Sequence, residues 1–184
     1  MDAKRHKRIS KFLSLVLRHR PELIGIDLDG QGWVSVQELL THAHRQGTRF
    51  SEAELRQVVR ESDKQRFALS DDGLLIRANQ GHSVSVDLGL EPSSPPEVLY
   101  HGTVATFLTD IREKGLLKGQ RHHVHLSPDK ATATKVGSRR GKPVILEIAS
   151  QQMHADGLEF YLSTNGVWLT DHVPPSYIFF PGDN

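Results

Sequence analysis

Apolar residues recur at helical spacing near the start of the chain. They share one face of a predicted helix that runs from about Lys7 to His19, and Pro21 prevents its continuation. The residues on this face are Ile9, Phe12, Leu13, Val16 and Leu17. Two more helices are predicted after Ser35 and Ser51, because each serine precedes a glutamate by three residues, which is the spacing of a capping box.

Short apolar runs with strand character accompany these helices. Residues 67–69 and 74–76 flank the turn sequence Ser70-Asp71-Asp72-Gly73 and predict a β-hairpin, and Ile24-Gly25-Ile26 predicts a short extended piece. Three helices followed by a hairpin is the element order of a winged-helix domain. In that order Arg18 ends the first helix and Arg66 opens the hairpin, so the fold would bring two cations together.

A proline-rich segment divides the chain. Pro92, Pro95 and Pro96 fall within five residues, which is incompatible with a helix or an inner strand. We therefore predict a first domain over residues 1–90, a linker over 91–96 and a second domain over 97–184.

The second domain is predicted to combine short strands with two helices, which makes the protein α+β. One helix runs from about Ala105 to Lys114 and stops at Gly115. The other runs from about Pro128 to Lys135, with Ser127 as its N-cap. The predicted strands cover residues 98–100, 123–126, 143–148, 167–169 and 177–180.

Composition narrows the classes of partner. Among 184 residues, 23 Lys and Arg face 22 Asp and Glu, so the formal charge is +1 and any contact with nucleic acid must be a local patch. The chain has no cysteine, which excludes disulfides and thiolate zinc sites and fits the cytosol. No apolar run reaches membrane-spanning length, and an amphipathic segment rather than a signal-peptide core follows the basic first residues. We expect a cytoplasmic protein without a membrane contact.

Three segments are candidates for anion or ligand binding, and each also has a purely structural explanation. Arg18-His19 is suited to an anion, but cations also offset the partial charge at a helix C-terminus. Tyr100-His101-Gly102-Thr103 is suited to a polar ligand against a sheet, or is a turn in which Thr103 or Thr106 caps the next helix. The basic, glycine-rich residues 136–142 are suited to pyrophosphate, or form a solvated turn.

The histidine-rich segment Arg121-His122-His123-Val124-His125 suggests a metal site. In a strand, however, His123 and His125 share a face while His122 points away, which leaves zinc short of ligands. We therefore expect no metal. Dinucleotide and P-loop glycine motifs and the Gly-x-Ser-x-Gly elbow are also missing from the sequence.

Seven segments, taken in order from about Ser10 nearly to the C-terminus, resemble the RNA 2′-phosphotransferase family, the NAD-dependent enzymes of tRNA splicing. They are residues 10–14 with 17–19, Gly32-Trp33-Val34, residues 62–67, residues 76–83, residues 100–103, Val124-His125-Leu126-Ser127 and residues 135–139. Each motif is weak alone, whereas their order and spacing together are specific.

The resemblance implies an N-terminal winged-helix RNA lobe joined to a C-terminal lobe of the ADP-ribosyltransferase type, with the active site in the cleft between them. The family transfers an internal 2′-monophosphate from RNA to NAD⁺ through an RNA 2′-phospho-ADP-ribose intermediate. The products are nicotinamide, RNA with a 2′-hydroxyl, and ADP-ribose 1″,2″-cyclic phosphate. The implied partners are therefore 2′-phosphorylated RNA and NAD⁺, without a protein partner.

The resemblance also assigns residues to roles. The implied catalytic set is Arg18, His19, Arg66 and Arg139. The implied NAD⁺-binding residues are His101, Gly102, Thr103, His125, Leu126, Ser127 and Gly137. The implied RNA-binding residues are Lys64, Arg77 and His82. Arg140 departs from the histidine that commonly follows the family's last catalytic arginine, which leaves open whether Arg139 or Arg140 faces the site.

Many ADP-ribosyltransferases have a catalytic glutamate where this chain offers Val173. The proposed acceptor explains the difference, because a phosphate monoester already carries roughly −1.5 to −2 charges at neutral pH and needs positioning rather than deprotonation.

Two other functions remain open. One is an ADP-ribosyltransferase that modifies terminal phosphates of nucleic acid, and the other is a winged-helix regulator without enzymatic activity. A regulator that read DNA through its third helix would not need cations at the end of its first.

Overall fold

The computed structural model describes residues 1–62 and 64–183, so Asp63, which belongs to one of the family-like segments, lies outside the described residues. The chain divides into two compact units, Met1–Gly89 and Leu90–Asn184. Both units combine helices with small antiparallel sheets. The predicted α+β class is confirmed.

Unit 1, Met1–Gly89, contains the three predicted helices. They are α1 (Ala3–Arg18), α2 (Val36–Arg45) and α3 (Glu52–Arg60). Helix α1 begins four residues earlier than predicted, because the Asp2 carboxylate accepts a hydrogen bond from the Arg5 amide at 2.9 Å and caps a first turn that has no apolar pattern. His19 is the C-cap rather than a helical residue.

The two predicted capping boxes differ. At α3 both halves form, with the Glu54 amide donating to Ser51 Oγ at 3.2 Å and the Ser51 amide donating to Glu54 Oε2 at 2.9 Å. At α2 the Glu38 amide donates to Ser35 Oγ at 3.4 Å, and the serine alone caps the helix.

A three-stranded sheet completes unit 1. Strands β1 (Val34–Ser35), β2 (Phe67–Leu69) and β3 (Leu75–Ala78) pair in the order β1-β3-β2, and all pairs are antiparallel. The β2–β3 pair is the predicted hairpin, which is confirmed, whereas β1 was not predicted. The expected extended piece at residues 24–26 is wrong: a 3₁₀ helix at Pro21–Leu23 precedes it, and Ile24 and Ile26 are buried in the core.

Unit 2, Leu90–Asn184, contains three small antiparallel sheets. The first sheet has the order β11 (Ile178–Phe179), β7 (Pro143–Ile148) and β4 (Leu99–Val104). The second has the order β6 (Val124–Leu126), β9 (Trp168–Thr170) and β8 (Phe160–Leu162). The third pairs β5 (Leu116–Leu117) with β10 (His172–Val173). Strands β5, β8 and β10 were not predicted. They contain only two or three residues, too few to show an alternating pattern.

The helices of unit 2 correct two predictions. They are α4 (Leu108–Lys114), α5 (Lys130–Gly137) and α6 (Ser150–Ala155), and α6 was not predicted. Asp129, not Ser127, caps α5, and its carboxylate accepts from the Thr132 amide at 2.7 Å. A 3₁₀ turn at Ala105–Phe107 precedes α4, and neither Thr103 nor Thr106 caps a helix.

Each unit has its own apolar core. In unit 1 the core joins the buried faces of the three helices to Phe67, Ile76 and Ala78 of the sheet. In unit 2 it is built around Leu99, Leu146, Ile148 and Phe160. Within the described part of the chain, no helix has the length and apolar character needed to span a membrane.

Candidate functional site

The predicted approach of Arg18 to Arg66 is confirmed. Arg18 is the last residue of α1, and its Nη2 atom donates to the main-chain carbonyl of Arg66, 48 residues along the chain, at 3.3 Å. The guanidinium carbon of Arg18 also lies 5.9 Å from the ring centroid of Phe67, the first residue of β2. The end of α1 and the start of β2 therefore bring two arginines into one small region of unit 1.

A tight turn directly before β2 sets the main chain of Arg66. Gln65 has φ +40°, the only positive φ at a non-glycine residue among the described residues. The Gln65 amide donates to the Ser62 carbonyl at 2.9 Å, and the Arg66 amide donates to Ser62 Oγ at 3.4 Å. From β3, Asn79 adds two bonds, Nδ2 to the Gln65 carbonyl at 2.5 Å and its amide to the Arg66 carbonyl at 3.0 Å.

His19 lies directly after Arg18 and is exposed. Its Nδ1 is 2.9 Å from Ser83 Oγ. The amides of Ser83 and Val84 both donate to the Arg18 carbonyl, at 2.8 and 3.3 Å, so this segment also satisfies the C-terminal end of α1. Ser83 was not assigned a role from the sequence, although it falls within one of the family-like segments.

The three residues predicted to contact RNA have different surroundings. Lys64 is half-buried, and the Arg77 guanidinium carbon lies 4.5 Å from the ring centroid of Trp33. His82 is only 1% exposed, and its Nε2 lies 3.3 Å from the position that a Cβ on Gly32 would occupy. Its ring is packed inside unit 1, and the expected RNA contact of His82 stays a prediction.

In unit 2 two of the family-like segments, residues 100–103 and 124–127, lie side by side. The Tyr100 amide donates to the Ser127 carbonyl at 2.9 Å, and the Ser127 amide donates back to the Tyr100 carbonyl at 2.8 Å. His101 Nδ1 lies 3.1 Å from the His125 carbonyl. Since a carbonyl only accepts, the Nδ1 atom carries the proton and His101 Nε2 is left as an acceptor.

Burial lowers the pKa of His101, and the nearby cations Arg140 and Arg121 lower it further, although its hydrogen bond to the His125 carbonyl acts in the opposite direction. His101 is therefore a neutral imidazole at pH 7. It lines a pocket of about 240 Å³ together with Thr103, Phe107 and Arg140.

Packing accounts for three of the residues predicted to bind NAD⁺. A Cβ at Gly102 would lie 1.9 Å from the Ala133 carbonyl oxygen, and a Cβ at Gly137 would lie 3.1 Å from the Thr103 carbonyl oxygen. Gly102 is therefore required because β4 and α5 touch through their backbones, and Gly137 lies at the same close contact. Leu126 is 1% exposed in the core. Its side chain belongs to the core, and the predicted role of Leu126 in NAD⁺ binding stays a prediction.

Two arginines of unit 2 lie near a third, Arg121. Burial lowers the pKa of Arg121, and Arg140 and Arg139 lower it further. Arg121 Nη1 lies 3.4 Å from His125 Nδ1, and the Arg140 guanidinium carbon lies 5.6 Å from the ring centroid of Phe107. Among the ion pairs of the described residues, none involves these arginines. Such a cluster suits an anion. Arg121 was not predicted from the sequence as a site residue.

The histidine-rich segment does not assemble ligands for a metal within the described residues. His123 packs against Tyr161, with ring centroids 5.5 Å apart, and burial lowers the pKa of His123. No group of three or more His, Cys, Asp or Glu side chains is placed to hold a metal in that part of the chain.

The resemblance placed Val173 where many ADP-ribosyltransferases have a catalytic glutamate. Val173 is buried in β10. The neighbouring Asp171 pairs with Lys118, which holds the pKa of this carboxyl below its usual value.

The family model described as RNA 2′-phosphotransferase, Tpt1 / KptA family, matches residues 4–172. The chain belongs to this family. The resemblance drawn from the sequence motifs is confirmed, and the RNA 2′-phosphotransferase family is a family of transferases.

Individual members of the RNA 2′-phosphotransferase family are similar over nearly their whole length. A probable RNA 2′-phosphotransferase of Rhodopirellula baltica is 60% identical over 173 residues, covering 94% of each chain. One of Burkholderia pseudomallei is 58% identical over 175 residues, covering 95% of each chain. One of Streptomyces griseus is 52% identical over 189 residues, covering 99% of this chain and 100% of the relative.

Proposed function

We propose that this RNA 2′-phosphotransferase removes an internal 2′-monophosphate from RNA by transferring it to NAD⁺. Family membership supports the reaction class, and the contact of Arg18 with the main chain of Arg66 is the observation that carries the assignment. NAD⁺ supplies an anomeric carbon with nicotinamide as the leaving group.

Arg18 and Arg66 are proposed to bind the 2′-phosphate. A guanidinium fork donates two parallel hydrogen bonds to phosphate oxygens, and two such forks favour the monoester dianion over the singly charged diesters on either side. The exposed His19 next to Arg18 would face the same phosphate.

The proposed reaction has two steps. In the first, a phosphate oxygen bonds to the anomeric carbon as nicotinamide leaves, which gives RNA 2′-phospho-ADP-ribose and needs no deprotonation of the acceptor. In the second, the ribose 2″-hydroxyl bonds to phosphorus and the RNA 2′-oxygen leaves, taking up a proton. The products are RNA with a 2′-hydroxyl and ADP-ribose 1″,2″-cyclic phosphate. We assign the proton transfer to His19 and the stabilisation of phosphoryl charge to Arg139.

The residues of unit 2 fit NAD⁺ in charge. The diphosphate of NAD⁺ is anionic, and Arg121, Arg139 and Arg140 form a cationic cluster without ion-pair partners among the described residues. His101 and Thr103 line the adjoining pocket and offer an imidazole acceptor and a hydroxyl, and His125 and Ser127 lie beside them on β6 and directly after it. Gly102 and Gly137 would act indirectly, by letting α5 pack onto β4.

The two units would divide the work between RNA and NAD⁺. The order of helices and strands in unit 1, with a β1-β3-β2 sheet, supports a winged-helix RNA lobe over residues 1–90, in which Lys64 and Arg77 contact the RNA backbone. The mixed β architecture of unit 2 supports an ADP-ribosyltransferase-like lobe over residues 97–184, joined by the linker at 91–96. Action on tRNA-splicing intermediates in the cytoplasm is part of the same proposal.

A defined RNA with one internal 2′-phosphate, incubated with NAD⁺ in EDTA, tests the proposal. We expect loss of the 2′-phosphate, release of nicotinamide and formation of the cyclic phosphate, all dependent on NAD⁺. A matched RNA whose only monoester is terminal should not react. ADP-ribosylation of that terminal phosphate, or binding without any turnover, would instead identify one of the two alternative functions, and a requirement for a divalent ion would overturn the metal-free mechanism.

A further inference from the structure

Asn79 forms two hydrogen bonds to the turn that carries Arg66, and these two bonds are called the clamp here. Asn79 follows β3 directly and is 7% exposed. Its side-chain Nδ2 donates to the Gln65 carbonyl at 2.5 Å, while its main-chain amide donates to the Arg66 carbonyl at 3.0 Å. One residue therefore binds two consecutive carbonyl groups, and the second of these also accepts from Arg18.

The clamped turn is conformationally strained. Gln65 adopts φ +40°, a left-handed conformation that residues with a Cβ rarely occupy. Such a conformation persists only when its surroundings hold it. The bonds from Asn79 and from Ser62 provide that restraint on either side of Gln65.

The side-chain oxygen of Asn79 is a hydrogen-bond acceptor that is not satisfied among the described residues of unit 1. This Oδ1 atom is buried and has no hydrogen-bond partner among the described residues. A buried acceptor without a partner is unfavourable, and native structures contain few of them. Asn79 is therefore poorly optimised for stability, which is a pattern expected of residues that serve a site.

We propose that Asn79 is a positioning residue for phosphate recognition, acting through Arg66. By fixing the Gln65–Arg66 peptide, Asn79 sets the direction from which the Arg66 side chain leaves the turn and keeps the Arg66 carbonyl where Arg18 contacts it. Asn79 itself does not touch the phosphate. The proposal rests on the proposed function, in which Arg18 and Arg66 bind the 2′-phosphate.

The experiment compares Asn79→Ala, Asn79→Asp, Gln65→Gly and the double variant Gln65→Gly/Asn79→Ala. We expect Asn79→Ala to reduce kcat/KM for 2′-phosphorylated RNA by about tenfold to a hundredfold, the range expected for a misplaced phosphate contact, with the KM for NAD⁺ unchanged. Asn79→Asp preserves the shape but loses the donor to Gln65, so it should be equally impaired. It serves as the second test if Asn79→Ala fails to fold.

Gln65→Gly provides the decisive comparison. Glycine adopts a positive φ freely and keeps the carbonyl that the clamp uses, so Gln65→Gly alone should remain near wild type. In the double variant, the decrease in log(kcat/KM) should be at most half of the decrease that Asn79→Ala causes alone. A merely structural role for Asn79 predicts no such recovery in kcat/KM and no change in the preference for 2′-phosphorylated over 2′-hydroxyl RNA.

Asn165→Ala is the matched control, because the Asn165 side chain also forms a local hydrogen bond in a turn, in this case as the acceptor from Ser163 Oγ at 2.7 Å, but lies in unit 2. It should leave the preference for the 2′-phosphate intact. The inference is overturned if wild type shows the preference and Asn79→Ala and Asn79→Asp both keep it, or if the double variant is no better than Asn79→Ala. A wild-type protein without any preference overturns the proposed function itself, which is a separate result.

Discussion

At the scale of single residues, Arg18 and Arg66 are proposed to bind phosphate rather than to stabilise the fold. The described contacts of Arg18 join it to a carbonyl and to an aromatic ring, and both arginines stand at the ends of regular elements instead of on an apolar face.

We therefore expect Arg18→Ala and Arg66→Ala to abolish transfer of the 2′-phosphate while each variant remains folded. Loss of one charge-assisted contact should cost about 1.5–3 kcal/mol in transition-state binding, and misplacement of the phosphate adds to that. Lysine should rescue poorly, because an ammonium group cannot form the fork. Steady-state kinetics and circular dichroism of the four variants test this, and near-wild-type rates with alanine would remove both residues from the site.

Single residues also show which parts of the candidate site could be predicted from the sequence. The approach of Arg18 to Arg66 was predictable from the element order, whereas the adjacency of His101 to the His125 segment depends on the pairing of Tyr100 with Ser127. The roles of Asn79 and Arg121 were not predictable, because one depends on a strained turn and the other on neighbours brought together by folding. The burial of His82 and Leu126 likewise becomes visible only in the packed units.

At the scale of elements, helices and strands could be predicted where the sequence carries a clear local pattern. Helices with an apolar stripe were predicted, whereas the start of α1 at Ala3 depends on the Asp2 cap alone. Ser127 and Asp129 are both good N-cap residues, and the choice between them was settled by pairing, since Ser127 exchanges two hydrogen bonds with Tyr100. Strands β5, β8 and β10 have only two or three residues and were missed, whereas β2, β6 and β9, of similar length, overlap apolar runs that were predicted as strands.

The contact between β4 and α5 predicts a large effect at Gly102. In Gly102→Ala the new Cβ would lie 1.9 Å from the Ala133 carbonyl oxygen, so strand and helix must separate. We expect a loss of about 3 kcal/mol in the free energy of unfolding, together with loss of the pocket lined by His101. Gly30→Ala is the control: its φ is not positive and no atom lies within 4 Å of the new Cβ, so it should stay within about 0.5 kcal/mol of wild type. Equal stability of the two variants in chemical denaturation would contradict the packing argument.

The capping box of α3 predicts a pH-dependent contribution to stability. Arg5 and the Ser51 amide hold the pKa of Glu54 at about 2, below its ordinary value of 4.5. The folded state thus binds a proton less readily than the unfolded state, so the contribution is complete above pH 4.5 and is lost as the pH falls towards 2. Glu54→Gln should cost about 1–2 kcal/mol at pH 7, allowing for solvent screening, and progressively less below pH 4.5.

Urea unfolding from pH 7 to pH 3 measures the Glu54 effect. Glu52→Gln is the control, because Glu52 also lies in the first turn of α3 but pairs with Arg56 within the helix rather than with α1. A difference between wild type and Glu54→Gln that did not shrink with falling pH would rule out the ionised carboxylate as the cause.

At the scale of the whole molecule, positive charge is concentrated locally although the formal net charge is only +1. Unit 1 brings Arg18 and Arg66 together, and unit 2 brings Arg121, Arg139 and Arg140 close enough to lower the pKa of Arg121. The proposed substrates, a phosphorylated RNA and a dinucleotide, would account for two cationic regions in a chain that is otherwise balanced.

The order of the two proposed steps gives the prediction that separates Arg139 from Arg140. The first step uses an acceptor that is already anionic, whereas the second needs charge stabilisation on phosphorus as the RNA 2′-oxygen leaves. Arg139→Ala should therefore accumulate RNA that bears ADP-ribose on its 2′-phosphate. Arg140 lines the pocket with His101 and Thr103, so Arg140→Ala should instead raise the KM for NAD⁺ without accumulation. Single-turnover reactions resolved by gel electrophoresis measure both effects, since the intermediate migrates more slowly and retains the phosphate.

If Arg140→Ala accumulates the intermediate and Arg139→Ala does not, the two arginines exchange roles. If neither these variants, His19→Ala nor the wild type ever shows it, the transfer does not proceed through RNA 2′-phospho-ADP-ribose in this protein, and Arg139 and His19 must act in binding or in the first step.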